Sequence, residues 1–564
     1  MGGLRLWREA LAVVSTVLVV HLLVTWPVWS APASLLFGWP GDNLLFAWNL
    51  DHVADGGTVG TTASLFHPNG FPFLFHTHTW LYGWMYRIVR PVIAWWAGGD
   101  ELEQATLATN LLQAWSSAIS ALALAWICRV AGCRRFAFVL PLVVLVTFSP
   151  LRLFSLYGHL NIQGTEFFLC SMACIATAMQ TDGRRWWVAG GIFAGIAWLN
   201  DQTMGMFSLL FATMAGSVAL WRVRLQAVPK LSFFALSFAL VAGAHLFMLA
   251  RVYTSAGYYV ASAHTLRLND ALNLLLPSDY NILPMGLHEL RARLGIENGS
   301  GASFLPPALV LGGLTGLVLM AKRRGREPFV DGAALWVLTL ALGLVCILGE
   351  WLVVAGHRLF PIPYRVFRMI PVLENLRIPD RFVLFALVPM MIFTARTLET
   401  LSARRAGFAM AAIILVSLPT SRLVPVVTDV SEAPFHMTEP TLERIRSRGG
   451  AVWALGGPAF PKANAWQIQH GQPEILGLIA RVPPSLIEDR FSRYPFLPWV
   501  LNGVGPDPVA EASVEDFVRD SGLRTVLHDS EAQPLLERMY RVKSKEAWGA
   551  LGVEFIPVDA APLP

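Results

Sequence analysis

Eleven apolar stretches, each near the length of a membrane crossing, constrain this chain more than any other feature. They run over about 10–29, 105–128, 136–154, 162–180, 186–200, 202–221, 231–252, 304–321, 331–355, 381–397 and 407–425. A helix needs roughly 20 apolar residues to cross the hydrocarbon core, where every backbone polar group must be satisfied internally. The fifth and sixth stretches share one run, broken at Asn200-Asp201. The first ends in Trp26-Pro27-Val28-Trp29 with no clear small-x-small pattern after it, which argues against a cleaved signal peptide. Composition agrees: 55% of residues are hydrophobic and 14% charged, against about 25% charged in a soluble domain. An ordinary cytosolic enzyme, a disordered chain and a fibrous protein are excluded. The expected fold is a polytopic α-helical membrane protein of about 11 transmembrane helices.

Charge is unevenly spread. Residues 426–564 hold 13 Lys/Arg and 18 Asp/Glu, whereas residues 1–425 hold 30 and 20 over three times the length. The shift sets an expected boundary near Pro425. Residues 1–425 form a transmembrane module and 426–564 a small α/β domain. In that domain 451–455 and 523–527 read as strands, 514–519 and 533–541 as helices, and 552–557 as a closing strand.

Basic residues give the expected topology. Arg5/Arg8, Arg129/Arg134/Arg135, Arg184/Arg185, Arg222/Arg224/Lys230, Lys322/Arg323/Arg324/Arg326 and Arg396/Arg404/Arg405 occupy alternate connections. Short positive-rich connections stay in the cytoplasm. The N-terminus is therefore expected inside, and an odd number of crossings puts residues 426–564 outside, in the periplasm or extracellular space beyond an inner (plasma) membrane. Topology accounts for the formal charge of +5, so no nucleic-acid partner is expected. Outer loops fall at about 30–104, 253–303 and 356–380, and long loops on one face are where function concentrates. The five cysteines lie in helices or at cytoplasmic ends, with no zinc spacing.

The first outer loop contains Trp39-Pro40-Gly41-Asp42-Asn43 through Trp48-Asn49-Leu50-Asp51-His52. Leu44, Leu45, Trp48 and Leu50 fit an amphipathic helix lying in the membrane interface. Asp42 at its start reads as a helix N-cap or as a catalytic carboxylate, and the two roles are compatible. His67, His76 and His78 follow, around the turn signal Pro68-Asn69-Gly70. They suit a metal or phosphate contact, or equally interfacial polar positions. Asp51, Asp55 and the acidic run at 100–103 read as solvated surface. Arg152, His159 and Glu166 flank the outer ends of the third and fourth stretches, Glu166 as a cavity group or as a bridge to Arg152 or His159. Asp201 sits at a tight hairpin, where it caps the sixth helix or faces a cavity. Arg251 stands near the outer end of the seventh. A buried charge in a membrane is costly and is by default a functional candidate. Arg365, Arg368, Arg377 and Arg381 cluster before the tenth stretch, where they bind phosphate through the planar guanidinium fork or anchor to lipid headgroups.

These pieces resemble the GT-C superfamily of integral-membrane glycosyltransferases, and more closely bacterial GT-C-like membrane proteins. The resemblance rests on Gly41-Asp42-Asn43 through Leu50, Phe66-His67-Pro68-Asn69-Gly70, Tyr157-Gly158-His159-Leu160-Asn161, Phe367-Arg368, Leu376 to Phe382, and Gln467 to Pro473. The superfamily places an acidic residue early in a long first outer loop, beside juxtamembrane helices. That implies transfer of a hexose or pentose from a polyprenyl-phosphate-linked donor to an acceptor hydroxyl on a glycan, lipid or protein, with membrane lipids around it. Asp42 takes the catalytic position. Arg377, Arg381, Arg368 and Arg365 are the donor-phosphate set. His159, Arg152, Glu166, His76, His78, Asp201 and Arg251 are the cavity candidates. No resident cofactor is implied, and a divalent cation is the one the resemblance allows. No Asp-Asp or Glu-x-Asp doublet stands at Asp42, so no metal ligand is assigned. The oligosaccharyltransferase Trp-Trp-Asp signature is absent as well, which disfavours an asparagine acceptor. Two alternatives belong to other classes. A flippase of lipid-linked glycan calls for polar residues deep in several helices, and a surface-polysaccharide polymerase or ligase usually carries its main outer loop late in the chain.

Overall fold

The computed structural model describes residues 2–57, 61–62, 64, 71–72, 79–98, 100–256, 269–276, 285–296, 303–322, 330–368, 378–420, 426–432, 435–455, 459–475, 492–502, 511–528 and 532–558. The chain is mostly helical. In order come α1 (Gly2–Val24), β1 (Leu35–Phe37), α2 (Pro40–Ala54), β2 (Thr61–Thr62), β3 (Phe71–Pro72), α3 (Trp80–Ala97) and α4 (Glu101–Val130). Then follow α5 (Phe136–Thr147), α6 (Pro150–Leu156), α7 (Leu160–Gln163), α8 (Glu166–Thr181), α9 (Arg184–Asn200), α10 (Gln202–Val223), α11 (Val228–Ala256), α12 (Met285–Arg293), α13 (Pro307–Lys322) and α14 (Val330–Ile347). After these stand β4 (Trp351–Val354), β5 (His357–Pro361), α15 (Arg365–Arg368), α16 (Val383–Thr400), α17 (Ala403–Thr420), β6 (Val427–Asp429), α18 (Glu439–Arg448), β7 (Ala451–Leu455), α19 (Ala459–His470), β8 (Leu523–His528) and β9 (Glu554–Pro557).

A helix stands at each of the eleven apolar stretches. By length and composition five helical segments among the described residues suffice to cross a membrane, or six if the bent pair α5–α6 counts as one. Pro150 opens α6 at its first position, where the missing N–H is not needed, and the two helices meet at 48°. The ninth stretch was expected to run to 355, but α14 ends at Ile347. Gly349 follows at φ +80°, a conformation that suits glycine. Trp351–Val354 then pairs antiparallel with His357–Pro361. Apolar β-branched residues carried the hydropathy past the helix end.

Contacts divide the chain into two compact units. A helical unit holds residues 1–26, 113–244 and 262–425. In it α13 packs closely on α16, because Gly313 and Gly316 let backbones approach: a Cβ on Gly316 would lie 2.5 Å from the Phe393 carbonyl oxygen. In the same unit Phe207, Phe382 and Phe385 cluster, Phe207 edge to face with Phe385 and the other two pairs tilted.

A mixed unit holds residues 27–112, 245–261 and 426–564. Its three-stranded parallel sheet has the order β7-β8-β9. The strands expected at 451–455, 523–527 and 552–557 are these, and helices Glu511–Ser521 and Gln533–Val542 cover the other two expectations. Trp453, Phe496, Phe517 and Trp548 fill the core. In the same unit, β1 pairs antiparallel with β6, Leu36 opposite Thr428.

The expected interfacial helix is a correction. Asn43 to Asp51 of α2 are buried without a break, so α2 has no solvent or lipid face. Leu44, Leu45 and Trp48 pack with Val430, Ala465 and Ile468, which cover the side that local sequence leaves unpaired. The amphipathic helix is α3 instead. It exposes Trp84, Ile88, Val92 and Trp95 at near-helical spacing, an apolar stripe along one face.

Candidate functional site

Asp42 stands in the first turn of α2. It is not the N-cap: Trp39 occupies that position with extended backbone and Pro40 follows. The Asp42 side chain is half-buried, and helix N-termini stabilise a negative charge. The helix that carries it is clamped. Asn43 Nδ2 donates to the Phe37 carbonyl at 2.6 Å. Trp48 Nε1 donates to Gln467 Oε1 at 2.5 Å. A Cβ at Gly83 of α3 would sit 2.5 Å from Val53 Cβ, so only glycine permits this approach. His52 stacks on Trp48 at 4.9 Å between ring centroids, and burial pulls its pKa down to about 4.

The acidic residues further along α2 are not simply solvated. Arg90 of α3 lies 3.3 Å from Asp51 and 3.5 Å from Glu101, and pairs with Asp55. Asp51 is 6% exposed. Burial, and then the neighbouring Asp55 charge, push its carboxyl up to about 8. One guanidinium facing three carboxylates ties α2, α3 and the start of α4 together.

The stretch Gln467 to Pro473 is a polar clasp in the same unit. Gln469 Oε1 accepts from Met437 N at 2.9 Å, and its Nε2 donates to the Phe435 carbonyl at 2.7 Å. His470 Nδ1 accepts from Gln472 N at 3.0 Å, which leaves Nε2 to face Glu474 Oε1 at 3.1 Å. Both side chains are fully buried. Burial, with the Arg446 charge adding to it, lowers His470 to about 3, and burial raises Glu474. An acid-sensitive stability follows. Between pH 6.5 and about 3 the unfolded chain binds a proton at His470 that the folded one excludes, so stability falls as pH drops through that window. The Tm advantage of wild type over His470→Gln is expected to shrink between pH 7 and pH 4. An advantage constant with pH would show that His470 does not titrate this way.

In the helical unit, Asp201 opens α10. Its Oδ1 accepts from Met204 N at 3.0 Å as the helix cap, and its Oδ2 accepts from Asn161 Nδ2 at 2.6 Å. Arg381, in the turn Pro379–Phe382 before α16, donates from Nη1 to Thr203 Oγ1 at 3.0 Å. The start of α10 thus gathers Tyr157–Asn161 and Ile378–Phe382, two pieces far apart in sequence. His159 precedes α7 as its N-cap, half-buried, its ring 5.9 Å from Phe154. Nothing in the sequence singled out Asn161 or Thr203 as side chains; a polar residue beside a helix break was the only available signal.

Arg152 and Glu166 are 1% and 0% exposed, enclosed by helices rather than at a surface. Arg152 Nε donates to the Thr147 carbonyl and Nη1 to Ser120 Oγ, each at 2.9 Å, and Nη1 also reaches Thr165. Ser116 Oγ lies 2.6 Å from Glu166 Oε2, and Ser117 Oγ lies 3.2 Å from His21 Nδ1. These serines lie near the middle of α4, so polar groups are not confined to the ends of the apolar stretches.

Arg365 is exposed, as is Arg251. Arg368 ends α15; its side chain, with Arg377, His67, His76 and His78, lies outside the described residues. Among the described residues no group of three or more His, Cys, Asp or Glu side chains is placed to hold a metal ion.

No protein-family model and no curated protein matches the sequence. Solved structures do match in fold. The arabinofuranosyltransferase AftD from Mycobacteria aligns at 16% identity over 89% of this chain and 34% of its own, with a TM-score of 0.54. The Archaeoglobus fulgidus oligosaccharyltransferase aligns at 10% identity, over 83% of this chain and 64% of its own, TM-score 0.45. ArnT from Cupriavidus metallidurans, solved bound to undecaprenyl phosphate, aligns at 12% identity over 95% and 89%, TM-score 0.39. The chain spans about a third of the arabinofuranosyltransferase's length.

Proposed function

We propose, on the premise that this multi-pass membrane chain has the GT-C fold, that it is a glycosyltransferase using a polyprenyl-phosphate-linked sugar and transferring that sugar to an acceptor hydroxyl. The observation that carries the proposal is Asp42, a half-buried carboxylate on a rigidly clamped helix in the first connection after an apolar helix. Fold alone does not imply chemistry; a carboxylate held in this manner supplies the group that the chemistry needs. We place the protein in the inner (plasma) membrane with eleven crossings, its N-terminus in the cytoplasm. In this proposal residues 1–425 form the catalytic module and residues 426–564 an extracytoplasmic domain.

The reaction needs few groups. The bond from the anomeric carbon to the phosphate oxygen breaks, and its electron pair leaves with the phosphate. The leaving group departs as an anion, so no general acid is needed. The acceptor oxygen forms the new bond from the opposite side, and its proton passes to Asp42 as general base. One displacement inverts the anomeric carbon. Cationic donors stabilise the departing phosphate, and we assign that role to Arg381, with Arg377, Arg368 and Arg365 as its supporting set. His159, Arg251, His76 and His78 remain cavity candidates. The donor sugar is a hexose or pentose, and the acceptor a glycan, lipid or protein hydroxyl.

Arg381→Ala is expected to raise the KM for donor about 10–100-fold, the range that loss of one charged hydrogen bond gives. Arg381→Lys should recover part of the loss, because one ammonium replaces a planar fork. Steady-state release of polyprenyl phosphate checks this. An unchanged KM in Arg381→Ala would leave the residue as a structural tie to Thr203. A second reading, transport of a lipid-linked glycan, draws support from one observation, the buried polar network of Arg152, Glu166 and the α4 serines. These groups satisfy one another, which suits a fixed brace better than a path.

A further inference from the structure

Two buried amides around the start of α10, where Thr203 meets Arg381, lack the partners such groups ordinarily have. Asn200 closes α9 and is 1% exposed, yet neither its Nδ2 nor its Oδ1 has a hydrogen-bond partner among the described residues. Asn161 is 2% exposed; its Nδ2 is engaged by Asp201, and its Oδ1 has no partner. Asp201 joins the two, adjacent to Asn200 in sequence and bonded to Asn161 in space. Two residues further, Thr203 accepts the hydrogen bond of Arg381.

Buried polar groups are nearly always paired, and an exception calls for an explanation, a bound water or ligand among them. The chemistry of the orphaned atoms narrows the ligand. They comprise one amide donor group and two carbonyl oxygens. A phosphate has acceptor oxygens only and would set them against both carbonyls. An isoprenoid tail would satisfy none of them. A hydroxyl donates and accepts through one atom, so neighbouring hydroxyls on a ring match amides that offer both roles. We propose that Asn161 and Asn200 form the subsite that recognises hydroxyls of the donor sugar, next to the guanidinium that takes the phosphate. This rests on the glycosyl-transfer reading and deepens it by naming residues that set sugar selectivity.

The test uses the full-length protein in liposomes, supplied with a hydroxylated acceptor and with undecaprenyl-phosphate-linked mannose, glucose and arabinofuranose. The donor that wild type turns over best is kept. Asn200→Leu removes the amide and keeps the branching at Cγ. A residue held for a ligand gives a variant with unchanged or higher Tm, a KM for donor raised at least tenfold, and unchanged inhibition by sugar-free undecaprenyl phosphate. Asn161→Ser, which keeps a small polar group, should shift the preference among the three sugars. Donor use within twofold of wild type in both variants overturns the subsite, as expected if the amides hold only water. An equal loss of sugar-free lipid binding also overturns it, because the amides would then serve the phosphate. A fall in Tm in both variants, with selectivity kept, marks a structural role and overturns it too. If wild type releases no undecaprenyl phosphate from any of the three donors, the glycosyl-transfer reading fails, and the subsite with it.

Discussion

Asp42→Asn is expected to slow release of polyprenyl phosphate by about 10²–10⁴-fold, the span over which a positioned general base contributes. The exchange keeps shape while removing the negative charge and, with it, the capacity to accept a proton. Folding should tolerate it. Asp42 neither caps α2 nor fills the core, and loss of its interaction with the helix N-terminus costs about 0.3–1 kcal/mol. The clamps on α2, from Asn43 to Phe37 and from Trp48 to Gln467, are untouched. Turnover should therefore collapse while Tm moves by a few degrees at most. Donor KM should change little, because the assigned role concerns the acceptor proton. A variant that keeps wild-type turnover would remove Asp42 from the chemistry and leave α2 as a structural element.

The second large effect concerns stability. Arg152→Leu should destabilise the helical unit by about 3–5 kcal/mol, the range for breaking a buried charged network by removing one member. The guanidinium serves Thr147, Ser120 and Thr165 together, and each sits at 1% exposure or less. Glu166, which follows Thr165 in sequence, is itself fully buried and bonded to Ser116 of the same helix that carries Ser120, and the network is expected to lose its positive member. The double variant Arg152→Leu/Glu166→Gln is expected to recover part of the loss, since no buried charge is then left alone. Thermal unfolding of the detergent-solubilised protein measures both. A single variant as stable as wild type would show that this network is not the brace described above.

Local pattern carried the reading of this sequence as far as local pattern can go. Each apolar stretch carries a helix, because a long apolar run has few other ways to satisfy its backbone. The short strands at 451–455 and 523–527 were legible from β-branched and aromatic residues between turn signals. What failed was tertiary. The burial of α2 depends on Val430, Ala465 and Ile468, about 400 residues away in sequence, so its leucines read as one face of an interfacial helix. Asp51 reads as surface because its partner, Arg90, belongs to a different helix; Asp55, 60% exposed, does lie at the surface as expected. Trp351–Val354 read as the end of a span because hydropathy does not distinguish an apolar strand from an apolar helix. Asp201 reads as a cap or a cavity group and Asn161 only as the end of the piece Tyr157–Asn161; the hydrogen bond between them, across 40 residues of sequence, makes them a pair.

The measurement that tests the central claim most directly is the fate of a polyprenyl-phosphate-linked sugar given to the wild-type protein in sealed liposomes with a hydroxylated acceptor. Glycosyl transfer predicts free polyprenyl phosphate and a new glycoside in equal amounts, the glycoside carrying the opposite anomeric configuration to the donor. Recovery of every donor molecule intact, with or without movement of the lipid to the other leaflet, would contradict it.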